Sequence, residues 1–153
     1  MYAYDDMDRE IVIREMTAED VDAVAAMERE VFTAPWKKED FADIIYKDDR
    51  GCVVAQKAGE IIGCVVYHNI VGDVDITNVQ VKEGFRGQGI AKGLMEAAMD
   101  KARTIGGTSF TLEVRESNSA AKALYRSLGF VQEGIRRGFY EDPREDAVIM
   151  WLR

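Results

Sequence analysis

One stretch, Val79 to Ala91, constrains this chain more than any other: Val-Gln-Val-Lys-Glu-Gly-Phe-Arg-Gly-Gln-Gly-Ile-Ala. It opens with strand-like alternation and passes through a loop holding Gly84, Gly87 and Gly89. It then enters a helical pattern with Ile90, Leu94, Ala97, Ala98 and Ile105 on one side. A strand that feeds a glycine-rich loop and then a helix start suits a phosphate. The free N–H groups of the first turn point outward, and the helix dipole adds partial positive charge there. Gly87 and Gly89 remove side chains that would hold a pyrophosphate off the backbone. The loop is not the dinucleotide fingerprint, because Lys92 stands where G-x-G-x-x-G needs its last glycine. No Gly-Lys-Ser/Thr follows, so it is not a Walker loop either. Taken alone, a short glycine turn before a helix also reads as a plain connector.

Length and charge narrow the rest. The 153 residues, 47% of them apolar, can bury a full core, and one domain is expected over residues 10–153. The acidic residues 1–9 are expected to be frayed. No apolar run is long enough to cross a bilayer. The N-terminus also lacks the basic-then-apolar order of a signal peptide. A cytoplasmic protein without a membrane partner is therefore expected. Cys52 and Cys64 both sit in strand-like apolar runs and read as reduced core thiols. His68 has no second histidine and no paired cysteines near it, so no metal is expected. The net charge of −8 argues against a nucleic-acid partner, which would require a basic face. The same charge has two readings, attraction of a cationic substrate or simple solubility. Nothing in the sequence speaks to oligomeric state.

Along the chain, Glu10 to Arg14 alternates as a first strand. Thr17-Ala-Glu-Asp20 resembles a capping box with Asp in the place of Glu or Gln. The helix behind it carries Val21, Val24, Ala25, Val31 and Phe32 at helical spacing. Glu28 interrupts that stripe, either at its solvent edge or facing a substrate cleft. Pro35 ends the helix, and a second short one is expected from about Lys37 to Tyr46. Gly51–Gln56 and Glu60–Tyr67 read as paired strands. Asp73 to Val81 is another strand, with a parity slip near Asn78 and Val79 that predicts a bulge. Gly106-Gly107 stops the long helix. Thr108 to Val114 follows with Phe110, Leu112 and Val114 on one face. A helix over Ala120–Leu128, a short strand from Phe130 to Glu133, and a terminal hairpin of Ile135–Tyr140 with Ala147–Leu152 complete the pattern.

Arg86-Gly87-Gln88-Gly89-Ile90-Ala91 fits the pattern R/Q-x-x-G-x-G/A. Leu112-Glu113-Val114-Arg115, then Asn118, Ala121, Leu124-Tyr125 and Leu128-Gly129-Phe130, follow in order. In these motifs the chain resembles the GNAT superfamily of acyl-CoA-dependent N-acetyltransferases, from about Ile13 to Leu152. The resemblance implies an α+β (α/β) acyl-CoA N-acyltransferase fold. Its mixed, mostly antiparallel sheet would have about six to seven strands, splayed at the centre and flanked by about four helices. It implies acetyl-CoA as cosubstrate and no metal. The backbone of Val79, Gln80 and Val81 would pair with the pantetheine arm. Arg86, Gly87, Gln88, Gly89, Ile90, Ala91 and Lys92 would hold the pyrophosphate, and Asn118 would hydrogen-bond the arm. Glu113 would be the general base and Tyr125 the acid that protonates the leaving thiolate.

On the acceptor side, Ala34-Pro35-Trp36 and the segments Arg136–Tyr140 and Arg144–Met150 resemble ribosomal-protein-alanine N-acetyltransferases. That makes Glu28, Trp36 and Tyr140 candidates for contact with a protein N-terminus, and the resemblance implies that of a ribosomal protein. Each residue has a plainer reading. Glu113 alternates away from Leu112 and Val114 and could only be solvated, Tyr125 could be a core residue, and Trp36 could be a core anchor. A proton moved directly to an unshifted Glu is uphill by roughly 5 kcal/mol from an α-amine and roughly 8 kcal/mol from lysine. An N-terminal amine is thus the easier acceptor. A small-molecule amine is the alternative acceptor, and a catalytically silent acyl-CoA-binding module is the remaining class.

Overall fold

The computed structural model describes residues 10–32 and 34–153. The expected fraying of residues 1–9 lies outside the described residues. Seven strands form one sheet: β1 (Ile11–Glu15), β2 (Arg50–Lys57), β3 (Glu60–Ile70), β4 (Asp73–Val81), β5 (Ser109–Arg115), β6 (Val131–Tyr140) and β7 (Glu145–Leu152). Their spatial order is β1-β2-β3-β4-β5-β7-β6. All neighbours run antiparallel except β4 and β5, which are parallel. Four helices flank the sheet: α1 (Val21–Val31), α2 (Lys38–Ile44), α3 (Ile90–Thr104) and α4 (Ser119–Ser127). The splay expected at the centre is present. The β4/β5 ladder consists of Asp73↔Ser109, Val74↔Phe110 and Asp75↔Thr111, and beyond these the two strands part.

Each face of the sheet has its own core. Alternation turns Val53, Val65, Val74, Ile76, Phe110, Leu112, Val148 and Met150 toward α3 and α4. The opposite parity turns Cys52, Val54, Cys64 and Val66 toward α1 and α2. The α3 stripe is Ile90, Leu94, Met95, Ala98, Met99 and Ala102. Ile105, expected on that stripe, lies past the helix end and is 36% exposed. The helix closes through Gly107 N–H to the Ala102 carbonyl at 2.9 Å and Gly106 N–H to that of Arg103 at 3.2 Å, a Schellman arrangement. Gly63 on β3 lets the layers approach. A Cβ there would lie 2.9 Å from the Gln80 carbonyl oxygen and 2.9 Å from Leu94 Cδ1.

At the N-terminal end, the expected box closes through Asp20, which accepts from Thr17 N–H at 2.8 Å. A single 3-10 turn, Ala18–Asp20, precedes α1 there. Arg14 grips the same carboxylate at 2.7 Å, and this guanidinium is the main cause holding Asp20 down to about 2. Val31, expected in the α1 stripe, is 37% exposed, and Met27 fills the core instead. The expected break between two strands at Gly134 is absent. β6 runs unbroken over Val131–Tyr140, and irregular register near Glu133 and between Arg136 and Tyr140 accounts for its disturbed pattern.

Candidate active site

The bulge in β4 appears where parity slips. Cys64 pairs with Gln80 and Val66 with Thr77, so β4 uses one more residue than β3 over this interval. Asn78 carries the extra residue at φ +53°. After it, Val79 and Val81 lie against the α3 core, while Asn78 and Gln80 reach toward α1.

The glycine loop follows directly. Gly87 and Gly89 adopt φ +77° and +79°, and Gly89 is the N-cap of α3. A Cβ at either would meet no atom within 4 Å, so the loop offers bare backbone to open space. Arg86 folds back, its Nε donating to the Val81 carbonyl at 2.9 Å, which fixes the loop against the end of β4. Gln88 and Lys92 are exposed, Ala91 is half-buried and Ile90 is buried as the anchor of the first turn. These features fit a diphosphate on the helix N-terminus. At the start of α4, Asn118 accepts from Ala121 N–H at 3.1 Å through Oδ1, so it is the N-cap of that helix.

On the far side of the split, Glu113 projects from β5 away from Leu112 and Val114, and its side chain is 29% exposed. Burial chiefly pushes its carboxyl above the usual range, Arg136 opposes that, and Asp75 adds to it. Arg136 Nε stands 3.1 Å from Oε2, yet Oε2 is buried and receives no aligned hydrogen bond. The carboxylate is paired in charge but keeps hydrogen-bonding capacity.

Tyr125 on α4 is buried, its ring 6.0 Å from Phe130. Burial raises its hydroxyl well above the ordinary tyrosine value, with Tyr140 a lesser cause. Tyr140, at the end of β6, is pushed up to about 12 by burial and then by Glu113. Glu113, Tyr140 and Tyr125 therefore lie within electrostatic reach of one another. Arg115 stacks 4.5 Å from the Tyr140 ring centre and donates to the Glu141 and Pro143 carbonyls at 2.9 Å each, pinning the hairpin turn beside it.

Among the remaining expected residues, Trp36 packs as a half-buried ring 5.2 Å from Phe41, at the rim of the α1/α2 core. Glu28 is not at a solvent edge; it is 2% exposed and accepts three hydrogen bonds, with both oxygens engaged. Two residues near Glu113 were missed. Asp75 is half-buried on the last β4/β5 rung, and Arg136 arrives from β6 across β7. Asp75 lies on the α1/α2 parity of β4, a weak signal that only the β4/β5 pairing makes meaningful. A cavity of about 430 Å³ is lined by Glu19, Asp20, Glu30, Glu60 and others, and neither Glu113 nor Tyr125 is part of that lining. No group of three or more His, Cys, Asp or Glu among the described residues could hold a metal ion.

Residues 21–130 match the family model of the acetyltransferase (GNAT) family. The chain belongs to the GNAT acetyltransferase family. It is thus an acetyl-CoA-dependent N-acetyltransferase by membership. It is 32% identical over 142 residues to the Escherichia coli (strain K12) [ribosomal protein bS18]-alanine N-acetyltransferase, covering 92% of this chain and 95% of that protein. The crystal structure of the Escherichia coli ribosomal-protein-S18-alanine N-acetyltransferase superposes with a TM-score of 0.83 at 30% identity, covering 94% of this chain and 93% of the other. A chain of the NatC complex bound to Gag peptide and CoA superposes with a TM-score of 0.81 at 25% identity, over 94% and 98%. No helix among the described residues is long and apolar enough to cross a membrane.

Proposed function

We propose that this GNAT enzyme acetylates the N-terminal α-amine of a protein, an N-terminal alanine of a ribosomal protein, with Glu113 as base and Tyr125 as acid. One observation carries the reading. Glu113 lies on β5 beyond its last rung with β4, Tyr125 lies in the core on the other face of the sheet, and the end of β4 runs directly into the loop fitted for a diphosphate. The similarity to bS18-alanine acetyltransferases over nearly the whole chain supports the acceptor class. Two free buried thiols agree with a reducing, cytoplasmic setting.

Acetyl-CoA supplies a thioester carbonyl whose C–S bond breaks as the amine's C–N bond forms. The chain's residues handle the rest. Gly87 to Lys92 hold the diphosphate through backbone N–H groups. The bulged backbone of Val79–Val81 pairs with the pantetheine arm, and Asn118 borders it. Glu113 takes the proton leaving the amine, directly or through a water, and its raised carboxyl lessens the uphill transfer from an α-amine. Tyr125, protonated at neutral pH and held more firmly so by burial, gives its proton to the departing sulfur. Trp36 and Tyr140 flank the entry of the peptide, and the acidic overall charge favours a basic one.

The test is to incubate the protein with acetyl-CoA and a panel of N-terminal peptides and small amines, and to locate the modified atom by mass spectrometry. Acetyl on the α-nitrogen of alanine-starting basic peptides is expected. Exclusive modification of small amines would reassign the acceptor, and no transfer to any amine would remove the catalytic reading.

A further inference from the structure

Glu28 is a buried carboxylate held by neutral donors from three places. Its Oε2 accepts from Trp36 N–H at 3.1 Å and from Asn78 Nδ2 at 2.9 Å, and its Oε1 accepts from Gln80 Nε2 at 2.7 Å. Trp36 begins the approach to α2, Asn78 is the left-handed residue of the β4 bulge, and Gln80 continues to Cys64 Sγ on β3 at 3.3 Å. Among the described residues no cation pairs with Glu28. At 2% exposure, with donors on both oxygens, this carboxylate is closed off from a substrate by burial, and leaving it buried is costly unless the bonds it makes matter. Two of those bonds converge on one atom, so the segment at Trp36 and the bulge at Asn78 cannot drift apart without breaking at least one of them.

We propose that Glu28 is a positioning residue: it touches neither substrate, and it ties the acceptor-side segment at Trp36 to the thioester-side bulge of β4. The assignment of acceptor and thioester sides rests on the function proposed above. A direct role for Glu28 in binding substrate makes a different prediction, which two substitutions separate. In Glu28→Gln one oxygen remains for Trp36 and Asn78, and an amide N–H faces Gln80. Gln80 Oε1 is buried without a partner, so turning the Gln80 amide over pairs it with that new donor. The hydrogen-bond geometry then survives the loss of charge. Glu28→Met keeps the volume and removes every acceptor.

Glu28→Gln is expected to stay within about threefold of the unmodified protein in kcat/KM for its best amine, whereas Glu28→Met loses about 30-fold or more from unmade buried bonds. Hydrogen exchange at the Trp36 amide gives a readout independent of catalysis: protection persists in Glu28→Gln and is lost in Glu28→Met. Should Glu28→Met not fold, Asn78→Ala releases the bulge alone; it is expected to raise KM for both substrates with Trp36 protection intact. Equal damage from Gln and Met would overturn the proposal, since it would mean the charge acts on a substrate. Unchanged kinetics in Glu28→Met or in Asn78→Ala would overturn it too. If the exchange pattern holds but no N-terminal peptide is acetylated, the acceptor assignment falls and the tie between Trp36 and the bulge stands.

Discussion

Under α3 and α4 the sheet buries an almost wholly apolar layer, with Leu94, Met95, Ala98, Phe110 and Met150 at its centre. Under α1 and α2 the same sheet buries Glu28, Gln80 and two thiols beside its apolar residues. The first face needs only volume and shape, which many side chains satisfy. The second needs donors and acceptors at fixed places, because an unpaired buried polar group costs on the order of 1–3 kcal/mol. The loop proposed to hold the cofactor grows out of the first face and can rely on a generic platform. The groups proposed to meet the acceptor grow out of the second, where geometry is set bond by bond. Mutations should therefore divide cleanly, stability on one face and turnover on the other.

The sharpest division comes from Glu113→Gln. The amide is nearly isosteric and cannot accept the amine's proton, so kcat should fall by about 10²–10⁴-fold. Acetyl-CoA affinity by calorimetry should barely move, because Glu113 lies on the face away from the loop helix. An equal loss of affinity would assign Glu113 a structural role. Leu94→Ala probes the other face. Leu94 is fully buried against the sheet, and its truncation should lower unfolding free energy by about 2–5 kcal/mol. KM for the acceptor should stay unchanged, and a raised value would show that the faces are mechanically coupled. Tyr125→Phe crosses between them, since Tyr125 belongs to the apolar core yet carries the proposed acid. Removing only the hydroxyl should leave the melting temperature in place and slow transfer by about tenfold or more. A rate equal to the parent's at every pH would take Tyr125 out of the mechanism.

How far the sequence could be read follows the same line. The glycine loop, the α3 stripe and the outward parity of Glu113 are properties of single elements, and local periodicity reveals them. The Asn78/Val79 slip was legible because a bulge disturbs one strand's own alternation. Ile105 was misplaced because periodicity continues past Thr104, where α3 ends; Val31 is the last residue of α1 and is 37% exposed there, with Met27 filling the core one turn earlier. Glu28 looked like an edge residue because its partners are far away in sequence, at Asn78 and Gln80. Arg136 could not be foreseen beside Glu113, since β7 intervenes between β5 and β6 in the sheet and only that order brings the two together. The unbroken β6 was read as two pieces because its register irregularities disturb the alternation expected of one strand.

The smallest expected effect is also the most specific to the acceptor face. As the proposed base, Glu113 must be ionised to accept a proton, so the acid limb of kcat/KM should report its carboxyl in the free enzyme. Burial lifts that carboxyl first, Arg136 pulls it down, and Asp75 lifts it again. His68 and Arg136 in turn face Asp75, whose own carboxyl is raised mainly by burial. Asp75→Asn removes a negative charge near Glu113, favours the ionised base and should move the acid limb to lower pH. Arg136→Met removes the cation and should move the limb to higher pH. Opposite displacements of the pH profile would identify Glu113 as the titrating group and place both charges at its side. Displacements of the same sign, or none in either variant, would mean that another group sets the limb. The acceptor face would then lack the base that distinguishes it from the apolar face behind it.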